Sequence, residues 1–99
     1  MNNRDKFTLV ARRRQLKFRY GLTLDQYQDL LNAQNSKCAI CECTIDSKRV
    51  KTSFAVDHNH ITGKIRGLLC NQCNRALGMF DDSVNVLRKA LNYLERETH

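Results

Sequence analysis

Ninety-nine residues suffice for one domain, but a chain of that size buries a modest share of its surface and leans on a metal, a disulfide or a partner. Its composition, 41% apolar and 27% charged, is that of an ordinary folded protein, and no apolar run approaches the length needed to span a bilayer. Seventeen Lys and Arg against ten acids leave a formal net charge of +7, which makes a polyanionic partner plausible, although membrane-surface binding and simple solubility produce similar counts.

The N-terminus, Met1-Asn2-Asn3-Arg4-Asp5, has no apolar core ahead of a small-residue cleavage site, so the cytoplasm is the expected compartment and no membrane partner is expected. From about Asp5 to Arg19, the apolar residues Phe7, Val10, Ala11, Leu16 and Phe18 fit a helix loosely, with basic residues on the other side. Arg4, Lys6, Arg12, Arg13, Arg14, Lys17 and Arg19 against Asp5 concentrate about +6 in the first twenty residues. That footprint is expected of phosphate binding, with Arg12, Arg13, Arg14, Lys17 and Arg19 as the candidate DNA contacts.

Gly21 breaks the pattern, and Thr23-Leu24-Asp25-Gln26 then reads as a capping box that starts a second helix. Leu24, Tyr27, Leu30 and Leu31 give that helix one apolar face, and Asn35-Ser36 end it. Short β-like pieces follow at Phe54-Ala55-Val56 and Ile65 through Leu69, joined by Asn59-His60-Ile61-Thr62-Gly63 into a hairpin with a long loop. Cys70 to about Phe80 can be helical. Asp81-Asp82-Ser83 then offers caps for a last helix whose Val84, Leu87, Leu91 and Leu94 are expected to pack into the core.

Cys38-Ala39-Ile40-Cys41 and Cys70-Asn71-Gln72-Cys73 are two C-x2-C knuckles, a spacing that lets both thiolates of each pair reach one tetrahedral ion. In a reducing compartment an odd set of five cysteines favours metal ligation over disulfides. Two knuckles in a chain too short for a thioredoxin-like domain also fit redox chemistry poorly. Four thiolates close the coordination shell of Zn2+, so this ion is expected to stabilise the fold and perform no chemistry. Cys43 stands one residue beyond Cys41 at an unusual spacing and is left out of the ligand set.

Between the knuckles lie Asp57-His58-Asn59-His60 and Arg66-Gly67-Leu68-Leu69-Cys70-Asn71, followed by Cys73-Asn74. These motifs closely resemble the phage recombination endonuclease VII family, a branch of the HNH or ββα-metal nucleases, over about Cys38 to Gly78. More weakly, Tyr20-Gly21-Leu22-Thr23-Leu24 with Tyr27 and Leu30 is similar to the helical lead-in of many relatives.

The resemblance implies a small α+β fold in a single domain. Residues 1–36 would form a basic helical segment, 37–80 a zinc-stabilised, treble-clef-like ββα-metal finger, and 81–99 a C-terminal packing helix. It implies hydrolysis of DNA phosphodiester bonds, leaving a 5′-phosphate and a 3′-hydroxyl, in the host cytoplasm if the chain is phage-encoded. Asp57 and Asn74 would supply hard oxygen ligands to Mg2+ or another divalent cation, and His58 would take a proton from the attacking water. His60 would assist at the phosphate or the metal, and Lys64 and Arg66 would join the DNA contacts. Leu77 stands where a junction-resolving member of the family carries an acid, so branched-junction specificity is not carried over. An inert zinc-finger DNA-binding module is the competing reading, and both monomer and homodimer stay open.

Overall fold

A computed structural model describes residues 21–50 and 52–98. The helix expected between Asp5 and Arg19, with its arginines, lies outside the described residues. The order of elements is α1 (Leu24–Ala33), β1 (Ala55–His58), β2 (Ile65–Leu69), α2 (Asn71–Met79), α3 (Val84–Glu95) and a 3-10 turn, Arg96–Thr98. The described chain is thus a small α+β fold in which three helices accompany a two-stranded antiparallel sheet.

The capping box forms as its residues dictate. Thr23 Oγ1 accepts from the Gln26 amide at 3.1 Å, and the Thr23 amide donates to Gln26 Oε1 at 2.9 Å. Two orphan donors at the start of α1 are thereby satisfied. Leu24, Tyr27, Leu30 and Leu31 all pack against the core, and the Tyr27 hydroxyl donates to the Phe54 carbonyl at 2.7 Å. The helix ends where Asn35 and Ser36 take left-handed backbone angles, φ 56° and 58°.

The core is built from Leu22, Cys38, Val50, Phe54, Val56, Leu68, Leu69, Cys70 and Cys73. Most of it belongs to the hairpin and the knuckles, so Cys38, Cys70 and Cys73 sit within the packed centre while Cys41 is exposed at its edge. The hairpin loop closes through Asn59, whose Oδ1 accepts from the amides of Ile61 and Thr62 at 2.8 and 3.1 Å. Gly63 supplies the left-handed residue that this turn requires, φ 76°. β1 starts one residue later than the apolar pattern implied and runs through His58, bringing Asp57 and His58 into the strand.

Gln34, just past α1, joins the helix to the hairpin. Its Nε2 donates to the Leu68 carbonyl at 2.9 Å and its Oε1 accepts from the Leu68 amide at 2.8 Å. The side chain thus plays the part of a neighbouring strand for one residue of β2. Gly67 makes room for it, since a Cβ there would stand 3.0 Å from Gln34 Oε1.

The last helix differs from expectation. Ser83 caps α3 by accepting from the Val86 amide at 3.1 Å, yet no residue of the helix is buried. Val84, Leu91 and Leu94 were expected in the core but are 62%, 55% and 62% exposed. The stripe has the right spacing, but the hairpin is already packed against α1, α2 and the knuckles. Among the described residues, no helix is long and apolar enough to cross a membrane.

Candidate metal centre and hairpin site

Each knuckle is shaped by its backbone. In the first, the Glu42 amide donates to the Cys38 carbonyl and the Cys38 amide donates to the Cys43 carbonyl, at 3.1 and 2.9 Å. Glu42 takes the left-handed conformation, φ 64°. The Ala39 amide then docks this turn on β2 through the Leu68 carbonyl at 3.1 Å. In the second, Cys70 is the N-cap of α2, and its sulfur accepts from the Cys73 amide at 3.4 Å.

The four ligand atoms of Cys38, Cys41, Cys70 and Cys73 lie within 4.8 Å of one another, and the Sγ atoms of Cys41 and Cys70 are 3.7 Å apart. Zinc–sulfur bonds of roughly 2.3 Å in a tetrahedron put sulfurs about 3.8 Å apart. The quartet therefore has the donor type, number and spacing to hold a structural metal ion such as zinc. Cys43 lies outside this group, as its spacing implied, but it supports the knuckle: its carbonyl receives the Cys38 amide, and its backbone amide and thiol lie against Cys41.

The thiols are not equivalent. The Cys43 backbone amide, with hydrogen bonds from neighbouring thiols, brings Cys41 down to about 6. At Cys70, burial pushes the thiol up, but the Cys73 amide and the Arg49 guanidinium outweigh it and the net shift is downward. Burial pushes Cys43 up to about 11 and Cys73 up to about 12. Arg49 reaches Cys73 Sγ at 3.9 Å, and its carbonyl accepts from the Asn71 amide at 3.1 Å. A cation beside a group of thiolates offsets part of their mutual repulsion, a role for Arg49 that no spacing in the sequence announces.

Beside this centre lies a second cluster, on the hairpin. Ala55, Val56 and Asp57 pair with Leu69, Leu68 and Gly67, but His58 pairs with Ile65, so the register shifts by one residue and Arg66 is the extra one. In an unbroken ladder Arg66 would stand opposite His58 and share its face. A bulge re-aims the side chain it carries. Arg66 accordingly grips Asp57: Nε donates to Oδ2 at 2.7 Å and Nη2 to Oδ1 at 3.0 Å. The Asp57 side chain is 11% exposed, so this pairing compensates a charge that would be costly to bury alone.

Arg66 Nη2 also donates to Asp82 Oδ2 at 3.0 Å, and His60 Nε2 stands 3.8 Å from the same oxygen. The rings of His58 and His60 are 4.6 Å apart between centroids and tilted by 57°. A cleft of about 380 Å³ runs alongside, lined by Asn59, His60, Ile61, Arg66, Gly78, Asp81 and Asp82.

Asp57, His58, His60 and Arg66 thus gather on one hairpin. Asn74 is exposed on α2, a helix that packs against both strands. Lys64 is exposed just before β2. Three N–H groups of Arg66 are engaged by carboxylates, leaving its Nη1 as the donor for any phosphate. Leu77 is half-buried against the core and acts as a packing residue. Asp82 is the member of the cluster that the sequence pattern did not single out as a site residue. Its triplet reads as helix caps, and Ser83 alone takes that role.

A small α+β chain with a two-stranded sheet, whose paired C-x2-C knuckles bring four thiols to one point able to hold a metal ion beside an Asp-His hairpin, is the class of protein that the fold and site define. The recombination endonuclease VII family matches residues 13–96, and the chain belongs to that family. It is 40% identical over 78 residues to the Gene 59 protein of Mycobacterium phage D29, covering 78% of this chain and 46% of that protein. The Gene 59 protein of Mycobacterium phage L5 is 38% identical over 76 residues, 76% of this chain and 44% of that protein. The chain therefore spans less than half the length of these relatives.

Proposed function

We propose that this chain is an HNH-type endonuclease, a ββα-metal finger that hydrolyses DNA phosphodiester bonds with the help of a divalent cation. The observation that carries the reading is the Asp57-His58 pair on a strand docked against the cysteine quartet, in a chain of the recombination endonuclease VII family. In this reading the quartet holds Zn2+ as scaffold, and its ion takes no part in the reaction.

Asp57 and Asn74 offer hard oxygens of the kind that hold Mg2+. One carboxylate and one amide would hold such a cation with room left for water and phosphate. When bound, the cation supplies positive charge that stabilises the leaving 3′ oxygen. His58, adjacent to Asp57 but facing the other side of the strand, removes the proton from the attacking water, for which its imidazole must be neutral. His60, exposed on the loop and beside Asp82, assists at the phosphate. Lys64 and the basic N-terminal segment bring the DNA backbone to the hairpin by charge, consistent with the net +7.

Plasmid cleavage by the zinc-loaded chain, with Mg2+ and with a chelator that spares the zinc, tests the proposal. Nicking or linearisation that requires Mg2+ is the expected result. DNA binding with no cleavage in either condition would identify an inert zinc-stabilised binding module instead.

A further inference from the structure

Asp82 is held with unusual care for an acid in a connecting turn. Asp81 and Asp82 are successive left-handed residues, φ 56° and 54°, a conformation unfavourable for side chains with a Cβ and tolerated best by Asn and Asp. The turn is fixed by its backbone: the Asp81 amide donates to the Gly78 carbonyl at 3.0 Å and the Asp82 amide to the Leu77 carbonyl at 2.8 Å. Its carboxylate, 23% exposed, then receives Arg66 Nη2. Because Asp57 Oδ1 and Asp82 Oδ2 each lie 3.0 Å from that one nitrogen, the two oxygens can be no more than about 6 Å apart.

We propose that Asp82 is a positioning residue for the cleavage site, fixing the Asp57 carboxylate through Arg66; this rests on the nuclease reading above. A guanidinium paired with Asp57 alone would tie β1 to β2 within one hairpin. The bond to Asp82 adds a different element, the turn that closes α2. Since α2 carries Asn74, the Asp82–Arg66–Asp57 bridge links the two elements that carry the proposed oxygen ligands. It also stands beside His60. The sign of the charge separates this role from a solvated one. At saturating divalent cation, where charge no longer limits metal binding, an acid next to the DNA path only repels phosphate. Neutralising a merely solvated Asp82 would then leave cleavage equal or faster, whereas losing a positioning residue slows it.

The test uses the zinc-loaded full chain with Asp82→Asn, Arg66→Gln, the double substitution and Asp57→Asn. Mn2+ affinity is measured by electron paramagnetic resonance without DNA, and single-turnover cleavage is measured at saturating DNA and divalent cation. Outer partners of metal ligands typically change affinity or activity about 10- to 100-fold, and Asp82→Asn should weaken Mn2+ binding and slow cleavage within that range. Its DNA affinity should be equal or higher. In the Arg66→Gln background the same change should add less than about twofold, because its effect runs through Arg66. Normal Mn2+ binding and cleavage by Asp82→Asn, or losses that simply multiply with those of Arg66→Gln, would overturn the proposal alone. A parent chain that neither cleaves nor binds Mn2+ in an Asp57-dependent way would overturn the nuclease reading and this proposal together.

Discussion

The knuckle–hairpin unit and helix α3 are both patterned to bury apolar side chains, yet only the first does so. Cys38, Phe54, Leu68 and Cys70 are 0–1% exposed, while Val84, Leu91, Tyr93 and Leu94 on or beside the same stripe of α3 are more than half exposed. Apolar periodicity states which face of a helix is apolar and is silent on what covers it. In the knuckle–hairpin unit the partner is specified as well, because backbone hydrogen bonds and a cysteine quartet able to share one metal ion bring remote segments to one place. Stability should therefore be concentrated in the first region and nearly absent from the second.

The largest effect should come from the cysteine quartet. In a domain this small the free energy of ligand binding is folding free energy, so Cys38→Ser or Cys70→Ser should abolish cooperative thermal unfolding. Metal analysis of the parent should find about one zinc per chain, and Cys43→Ser should keep it, since Cys43 lies outside the quartet. A cooperative melt in Cys70→Ser, or zinc well below half an equivalent in the folded parent, would break the comparison at its stronger end.

His58 belongs to the same unit but, on the proposed function, to its chemistry. His58→Ala should reduce single-turnover cleavage by about two to four orders of magnitude, while zinc content and melting temperature stay close to the parent's. Near-normal cleavage by the purified variant would remove His58 as the base and leave the unit a scaffold.

The sequence announced features whose partners are close along the chain. Thr23 and Gln26 are three residues apart, and each knuckle spans four, so spacing alone encodes their geometry. The loop from Asn59 to Gly63 was legible for the same reason. Gln34 was not: it acts on Leu68, thirty-four residues away, and nothing in its neighbourhood distinguishes it from another polar residue at a helix end. Nor was the one-residue register shift that makes Arg66, a candidate DNA contact, also the partner of Asp57 and Asp82. Alternation fixes the face of each residue only while the ladder is unbroken. Asp82 was hidden by its company, since any of Asp81, Asp82 and Ser83 qualifies as a helix cap.

The seam at Gln34 offers an intermediate test. A Cβ at position 67 would meet Gln34 Oε1 at 3.0 Å, displacing the side chain from the Leu68 amide and carbonyl. Gly67→Ala should cost about 1–3 kcal/mol, the usual range for overpacking. Gln34→Ala should cost a similar amount, by leaving the part-buried Leu68 amide unpaired, while the Leu68 carbonyl keeps the Ala39 amide. Urea titration of both single variants and the double variant should show a combined loss smaller than the sum, because both remove the same contact. Fully additive losses would show that Gly67 is there for a different reason.

The smallest effect is expected on α3, where the choice of substitution decides what is learned. Leu91→Gln and Leu94→Gln remove an apolar side chain while keeping a residue of similar helix propensity, so any change reports burial and not helix formation. Both leucines are more than half exposed, at 55% and 62%, and surface substitutions of this kind usually fall within about 0.5 kcal/mol. Phe54, 1% exposed, sets the opposite scale, since truncating a buried Phe to Ala typically costs about 3–5 kcal/mol. Urea midpoints of Leu91→Gln and Leu94→Gln should therefore stay close to the parent's under conditions in which Phe54→Ala is largely unfolded. They should also be unaffected by protein concentration. A loss well above 1 kcal/mol from either leucine substitution would mean that the stripe is covered in solution, and the contrast between the two regions would then be one of partner rather than of burial.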